Sequence, residues 1–95
     1  MWSEELKDSL VSWIAKNSNL EIDKDKSYDN FFEYDFVTDN LDEFCNILFH
    51  KDKNFVEIKI IGYKNKIDFK LSKKIEIESN ILEEIKKLLL FFIKN

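Results

Sequence analysis

Val56-Glu-Ile-Lys-Ile-Ile-Gly-Tyr-Lys-Asn-Lys-Ile-Asp-Phe-Lys-Leu-Ser-Lys-Lys-Ile-Glu-Ile77 alternates apolar and charged side chains over most of its length. Val56, Ile58 and Ile60 alternate with Glu57 and Lys59, and Ile67, Phe69 and Leu71 alternate with Asp68 and Lys70. A period of two is the mark of a strand with one face in a core and one in water. With Lys64-Asn65 as a two-residue turn, position 60 faces 69 and 58 faces 71, so both apolar sets share one face of a hairpin. Asn65 accepts a positive φ, although Lys64 is a poor first residue for such a turn. Ile75 and Ile77 resume the pattern after Ser72-Lys73-Lys74, with 71 opposite 75. The stretch therefore predicts a three-stranded antiparallel meander.

Towards the N-terminus, Phe32, Tyr34 and Phe36 alternate with Glu33, Asp35 and Val37, a fourth half-buried strand. Thr38-Asp39-Asn40 offers capping residues, and Leu41, Phe44, Cys45 and Leu48 then share a helical face, predicting a short helix over 41–49. Asp23 to Asn30 reads as a polar turn. Ser3 followed by Glu4 and Glu5 marks a helix start, a hydroxyl to cap and acids against the positive end of the dipole. Trp2, Leu6, Leu10, Trp13 and Ile14 form its stripe, and the helix ends near Asn17. At the other end Ser79 or Asn80 caps a last helix whose inward stripe is Ile81, Ile85, Leu88 and Phe92, flanked by Leu82 and Leu89. Leu90, Phe91 and Ile93 widen that stripe around nearly the whole circumference. Such a helix lies between the sheet and the first helix, or enters a partner. The expected fold is α+β, a small single domain over residues 1–95. Its antiparallel meander has three to four strands, with N-terminal and C-terminal helices packed on it.

Composition narrows the classes of function. Ninety-five residues suit one core, and one cysteine makes no internal disulfide. The longest apolar run, Leu88 to Ile93, is far shorter than a membrane-spanning helix. Glu4, Glu5 and Asp8 stand where a signal peptide carries positive charge, so a cytoplasmic location and no membrane partner are expected. All 15 basic residues are lysine, and the net charge is −4. A chain without arginine lacks the fork that grips phosphate, so no direct nucleic-acid partner is expected. The charge is uneven. Residues 1–52 carry 13 acids and 5 lysines, whereas residues 53–95 carry 6 acids and 10 lysines.

Each chemical motif fails on inspection. Asp23, Asp25, Ser27 and Asp29 alternate like the oxygen ligands of a calcium loop, but Tyr28 replaces the turn glycine and Tyr34 the closing glutamate. Cys45 and His50 are the sole thiol and imidazole. Cys45 reads as a small core residue, and His50 as the C-terminal residue of the predicted helix. Gly62 alone cannot build a phosphate-binding loop, and Glu4-Glu5 and Glu83-Glu84 are sequence neighbours on exposed helix faces. No metal, no cofactor and no enzymatic activity are expected.

What remains is a surface for proteins. Tyr28, Phe31, Phe32, Tyr34 and Phe36 crowd into nine residues within an acidic block. The sequence points to a non-catalytic acidic protein-binding module, an inhibitor, immunity protein or phage-type antagonist of a nucleic-acid enzyme, with a basic protein as partner. Asp23, Asp25, Asp29, Glu33, Asp35, Asp39, Asp42 and Glu43 would supply the charge, with Tyr28 and Phe31 as anchors. The alternative is a self-associating structural or adaptor subunit, a homodimer through Leu90, Phe91 and Ile93 of the C-terminal helix.

Overall fold

The alternation builds strands, and more of them than its pattern marks. In the computed structural model the order is α1 (Trp2–Asn17), β1 (Glu21–Tyr28), β2 (Phe31–Val37), β3 (Phe44–Lys51), β4 (Phe55–Lys64), β5 (Ile67–Glu76) and α2 (Ile81–Lys94). Residues 2–77 and 80–94 are described, with side chains for 4–77 and 80–90. Trp2 and Phe92 as stripe members, and Ser3 and Ser79 as caps, fall outside the described side chains. The strands form one antiparallel sheet in sequence order, β1-β2-β3-β4-β5. The class is α+β, with five strands instead of three or four.

The β4–β5 hairpin has its apolar residues on one face, but two residues out of the expected step. Ile60 pairs with Leu71 and Ile58 with Lys73, because the turn is Asn65-Lys66. Both turn residues hold positive φ, 56° and 65°, as a type I′ turn requires. Asn tolerates that conformation better than other non-glycine residues, which seats Asn65 at the first turn position. A shift of two returns every side chain to its own face. Nor does β5 break at Ser72-Lys73-Lys74; Ile75 belongs to the same strand and sits opposite Val56. Lys73 occupies the inner level of Ile58 at the sheet edge, and its Nζ donates to Glu84 Oε1 of α2 at 2.5 Å. That hydrogen bond, with a second from Lys87, holds the Glu84 carboxyl below its usual range.

Two expected elements change kind. Residues 44–51 are β3, the central strand, and not part of a helix. Its inner side chains Cys45, Ile47 and Phe49 are fully buried, while Phe44, Asn46, Leu48 and His50 point to the outer face. With apolar residues on both faces the period of two vanishes, and the spacing 41, 44, 45, 48 meets a helical template by coincidence. Residues 21–28 form β1, so only Asp29-Asn30 is a turn. As an edge strand with almost every residue exposed, β1 carries no apolar signature. Its charges are what protects an open edge from further pairing. Asp23 is the extra residue of a bulge between the pairs Ile22–Phe36 and Lys24–Asp35.

Both helices pack on the inner face. Leu10 and Ile14 of α1, and Ile81, Ile85 and Leu89 of α2, close over Tyr34, Phe36, Ile47, Phe49, Ile58 and Ile60. Burial of each Phe contributes about 1.5–3 kcal/mol. Leu89, not Leu88, continues the inward stripe of α2, and Asn80 caps that helix by accepting from the Glu83 amide at 3.2 Å. On the same face Gly62 lies opposite Cys45. A Cβ there would collide with the Phe44 carbonyl oxygen and lie 2.9 Å from Phe69 Cζ, so the position has room for glycine alone. The outer face carries no second layer among the described residues. No helix among them is long and apolar enough to cross a membrane.

Candidate functional site

The loop between β2 and β3 is built around Thr38. Its hydroxyl donates to Asp42 Oδ1 at 2.7 Å and accepts from the Glu43 amide at 3.1 Å. Its amide donates to the Glu43 carbonyl, and its carbonyl accepts from the Leu41 amide at 3.0 Å. Thr38 is buried, so these bonds are shielded and fix the loop. The loop projects Leu41 outward. That residue holds a φ of 60° and is 61% exposed. A branched side chain in the left-handed region costs about 1–2 kcal/mol, and the Tyr63 hydroxyl, donating to the Leu41 carbonyl, holds it there.

Beside this loop α1 ends. Asn17 Nδ2 donates to the Trp13 carbonyl at 2.8 Å and Ser18 Oγ to the Ile14 carbonyl at 2.7 Å. The Leu20 amide in turn donates to Ser18 Oγ, which steers the chain into β1. Glu21 then pairs with Val37, so the start of β1 lies against the root of the loop. Between them opens a cleft of about 590 Å³ whose carboxylates are Glu21, Asp39, Asp42 and Glu43. Ala15, Ser18 and Asn19 bring the helix C-terminus to its wall, adding the negative end of the α1 dipole. Among the described residues no lysine lines this cleft; Lys16 and Lys64 lie in the neighbouring depression, which shares Glu43. The arrangement attracts cations; Ala15 and Leu20 are its apolar lining, and Leu41 projects from the same loop into water.

The sequence-derived acids do not form one patch. Asp39, Asp42 and Glu43 meet at the cleft, joined by Glu21. Asp25 lies at the inner level of β1, where Lys7 Nζ of α1 bridges it at 2.7 Å; that hydrogen bond raises the Lys7 pKa. Asp23 sits in the bulge, and Asp29 in the opposite turn with a φ of 49°. Glu33 and Asp35 project from the outer face of β2, and Asn46 Nδ2 donates to both, at 3.0 and 2.5 Å. The anchors separate from the cleft as well. Tyr28 stacks on Phe31, and Phe31 on His50 with centroids 4.3 Å apart, at the far end of β2. The crowding of aromatics resolves by parity: Phe31 turns outward and Phe32 inward. Leu90 is 40% exposed on α2, while Phe91 and Ile93 lie outside the described side chains.

Catalytic groupings do not assemble from the thiol and imidazole. His50 is on the outer face of β3 rather than at a helix end, and Cys45 is on the inner face, so the two are separated by the sheet. Burial, with the Asp35 charge second, pushes the Cys45 thiol up to about 12, which keeps it protonated at neutral pH. Among the described residues no three His, Cys, Asp or Glu side chains converge on a metal position. No known family model matches the chain, and neither does any curated protein or solved structure. The residues missed in the sequence are Glu21, carried by the unread β1, and Leu41. The signal for Leu41 is an aliphatic side chain inside the turn-forming run Thr38-Asp-Asn-Leu-Asp-Glu43, where a polar residue would cost less.

Proposed function

We propose that the chain is a non-catalytic protein-binding module that takes a basic segment of a partner protein into the cleft between α1, β1 and the 38–43 loop. One observation carries the reading: a strained, water-exposed Leu41 on the same loop that brings Asp39, Asp42 and Glu43 together with Glu21 at the cleft. Strain maintained by a dedicated hydrogen bond on an exposed apolar side chain has no use in the fold itself. It suits an anchor surrounded by charges that orient a partner. A segment rich in lysine or arginine and carrying one apolar side chain matches both features. Occupation of a basic groove made for phosphates is the mode of action this surface supports, as in an immunity protein or a phage-type antagonist of a nucleic-acid enzyme.

The test is affinity capture from source-cell lysate with the wild type and a Glu21→Lys/Asp39→Lys/Glu43→Lys variant side by side. Asp42 is left in place because Thr38 uses it. The expected result is a basic protein retained by the wild type, released by salt, and absent from the variant although its circular dichroism is unchanged. The same protein retained equally by both overturns the proposal.

A further inference from the structure

The sheet ends in two edges, and only β1 is interrupted. Its ladder is broken by the bulge at Asp23, whereas β5 pairs with β4 over ten residues without a shift and closes the strand order. A long, regular edge without proline or bulge is open to another strand. Lys73, an inward charge of the kind that blunts an edge, is already engaged by Glu84 of α2. The two-residue turn makes Lys64 and Ile67 a hydrogen-bonded pair, so the odd-numbered residues of β5 direct their N–H and C=O groups to β4. Those of Asp68, Lys70, Ser72 and Lys74 point away from the sheet. Among the described residues no backbone bond joins them to a loop or helix. At the same edge Ile67 is 68% exposed, the highest value among the described large apolar side chains, although it belongs to the inner level.

We propose that β5 pairs antiparallel with β5 of a second copy of the chain, joining the two sheets edge to edge about a two-fold axis through Leu71. A two-fold perpendicular to the sheet keeps both inner faces on one side, so inner residues meet inner and outer meet outer. Two registers then keep nearly the whole strand in use, and further slippage shortens the overlap. Centred on Ser72, the pairing opposes Lys70 to Lys74 and Asp68 to Glu76, like charge to like charge on both sides of the axis. Centred on Leu71, it opposes Asp68 to Lys74 on both sides and sets no like charges directly opposite, the arrangement that stabilises a cross-strand pair. Lysine is in excess on the strand, and the two lysines left over, Lys70 and Lys73, face Ser72 and Phe69. Glu76 comes beside Lys66 of the turn. On the inner level Leu71 meets Leu71, and the exposed Ile67 meets Ile75, which is already buried. Main-chain bonds hold any added strand, and side-chain pairing decides which strand is added. The match of this strand to itself selects a second copy. The edge lies across the sheet from β1 and the acidic cleft, so either proposal can fail without the other.

Sedimentation of the full chain tests it, with the wild type expected to pass from monomer to dimer as concentration rises. Ser72→Pro removes an outward N–H and none of the bonds to β4, a position where an edge strand tolerates proline. It should weaken association by about tenfold or more while circular dichroism stays unchanged. Asp68→Lys, which sets a lysine opposite Lys74, should weaken it as well. The register is read by oxidising cysteine variants with diamide. Leu71→Cys should cross-link to its counterpart, since Cα atoms of a non-hydrogen-bonded pair lie about 4.5 Å apart, within disulfide reach. Ser72→Cys should not, and the native Cys45, buried and protonated, stays out of the reaction. These two variants also decide the matter if Ser72→Pro disturbs the fold. A monomeric wild type overturns the proposal. A dimer that survives Ser72→Pro but is broken by Leu90→Lys overturns it in favour of α2. Cross-linking through Ser72→Cys, or through neither cysteine, overturns the pairing about Leu71.

Discussion

Leu41 carries two costs at once, a left-handed backbone and an apolar side chain in water, and both end if it becomes glycine. Glycine adopts positive φ without penalty, which offsets its larger loss of chain entropy on folding. Leu41→Gly is therefore expected to leave stability unchanged or raise it by up to about 1 kcal/mol, read from a urea midpoint. The same change should weaken binding of a short labelled peptide alternating lysine with leucine by about tenfold or more, the loss of about 1.4 kcal/mol or more that defines an interface anchor. A stable variant that binds as well as the wild type would remove Leu41 from the site. Thr38 contrasts with it: its hydroxyl serves Asp42 and Glu43 in a buried position, so it acts on the site only through the loop it holds.

Elements were legible in the sequence where one face was wet and the other dry. That condition holds along β2 and β4, and the helices α1 and α2 show it at helical spacing. It fails at β3, whose outer Phe44 and Leu48 erase the alternation, and at β1, whose exposure leaves nothing apolar to alternate. The candidate site was legible only in part for the same reason. The acidic block was visible as charge, but with β1 unread, Glu21 could not be brought beside the 38–43 loop. Turn register was also hidden, because shifting the hairpin by two residues leaves every face unchanged. The turn still offers a direct check. Lys66 holds a φ of 65° at the second position of a type I′ turn, where Asn-Gly is the favoured pair. Lys66→Gly should stabilise the protein by about 0.5–1 kcal/mol, raising the thermal midpoint by several degrees for a chain of this size. A lower midpoint would place the turn at Lys64-Asn65 after all.

Because the sheet is a meander in sequence order, the uneven charge along the chain becomes uneven charge in space. The acid-rich first half supplies α1, β1 and β2, and the lysine-rich second half supplies β4, β5 and α2. The acidic cleft thus sits within a wider negative field, which should steer a basic partner from beyond contact range. Asp8 isolates that effect. It is exposed on α1 and about 15 Å, ten residues at about 1.5 Å each, from Ser18 at the cleft wall. The Debye length is about 30 Å in dilute salt and about 8 Å at physiological ionic strength. Asp8→Lys should therefore slow association of the lysine-leucine peptide in dilute salt and have almost no effect at physiological salt. Dissociation should not change at either, since nothing that touches the peptide has been altered. Stopped-flow mixing separates the two rates. If dissociation accelerates, or if association slows equally in both salts, Asp8 touches the peptide. The binding surface would then be the groove between α1 and β1, which Asp8 lines with Asp23 and Asp25, and not the cleft at the end of the sheet.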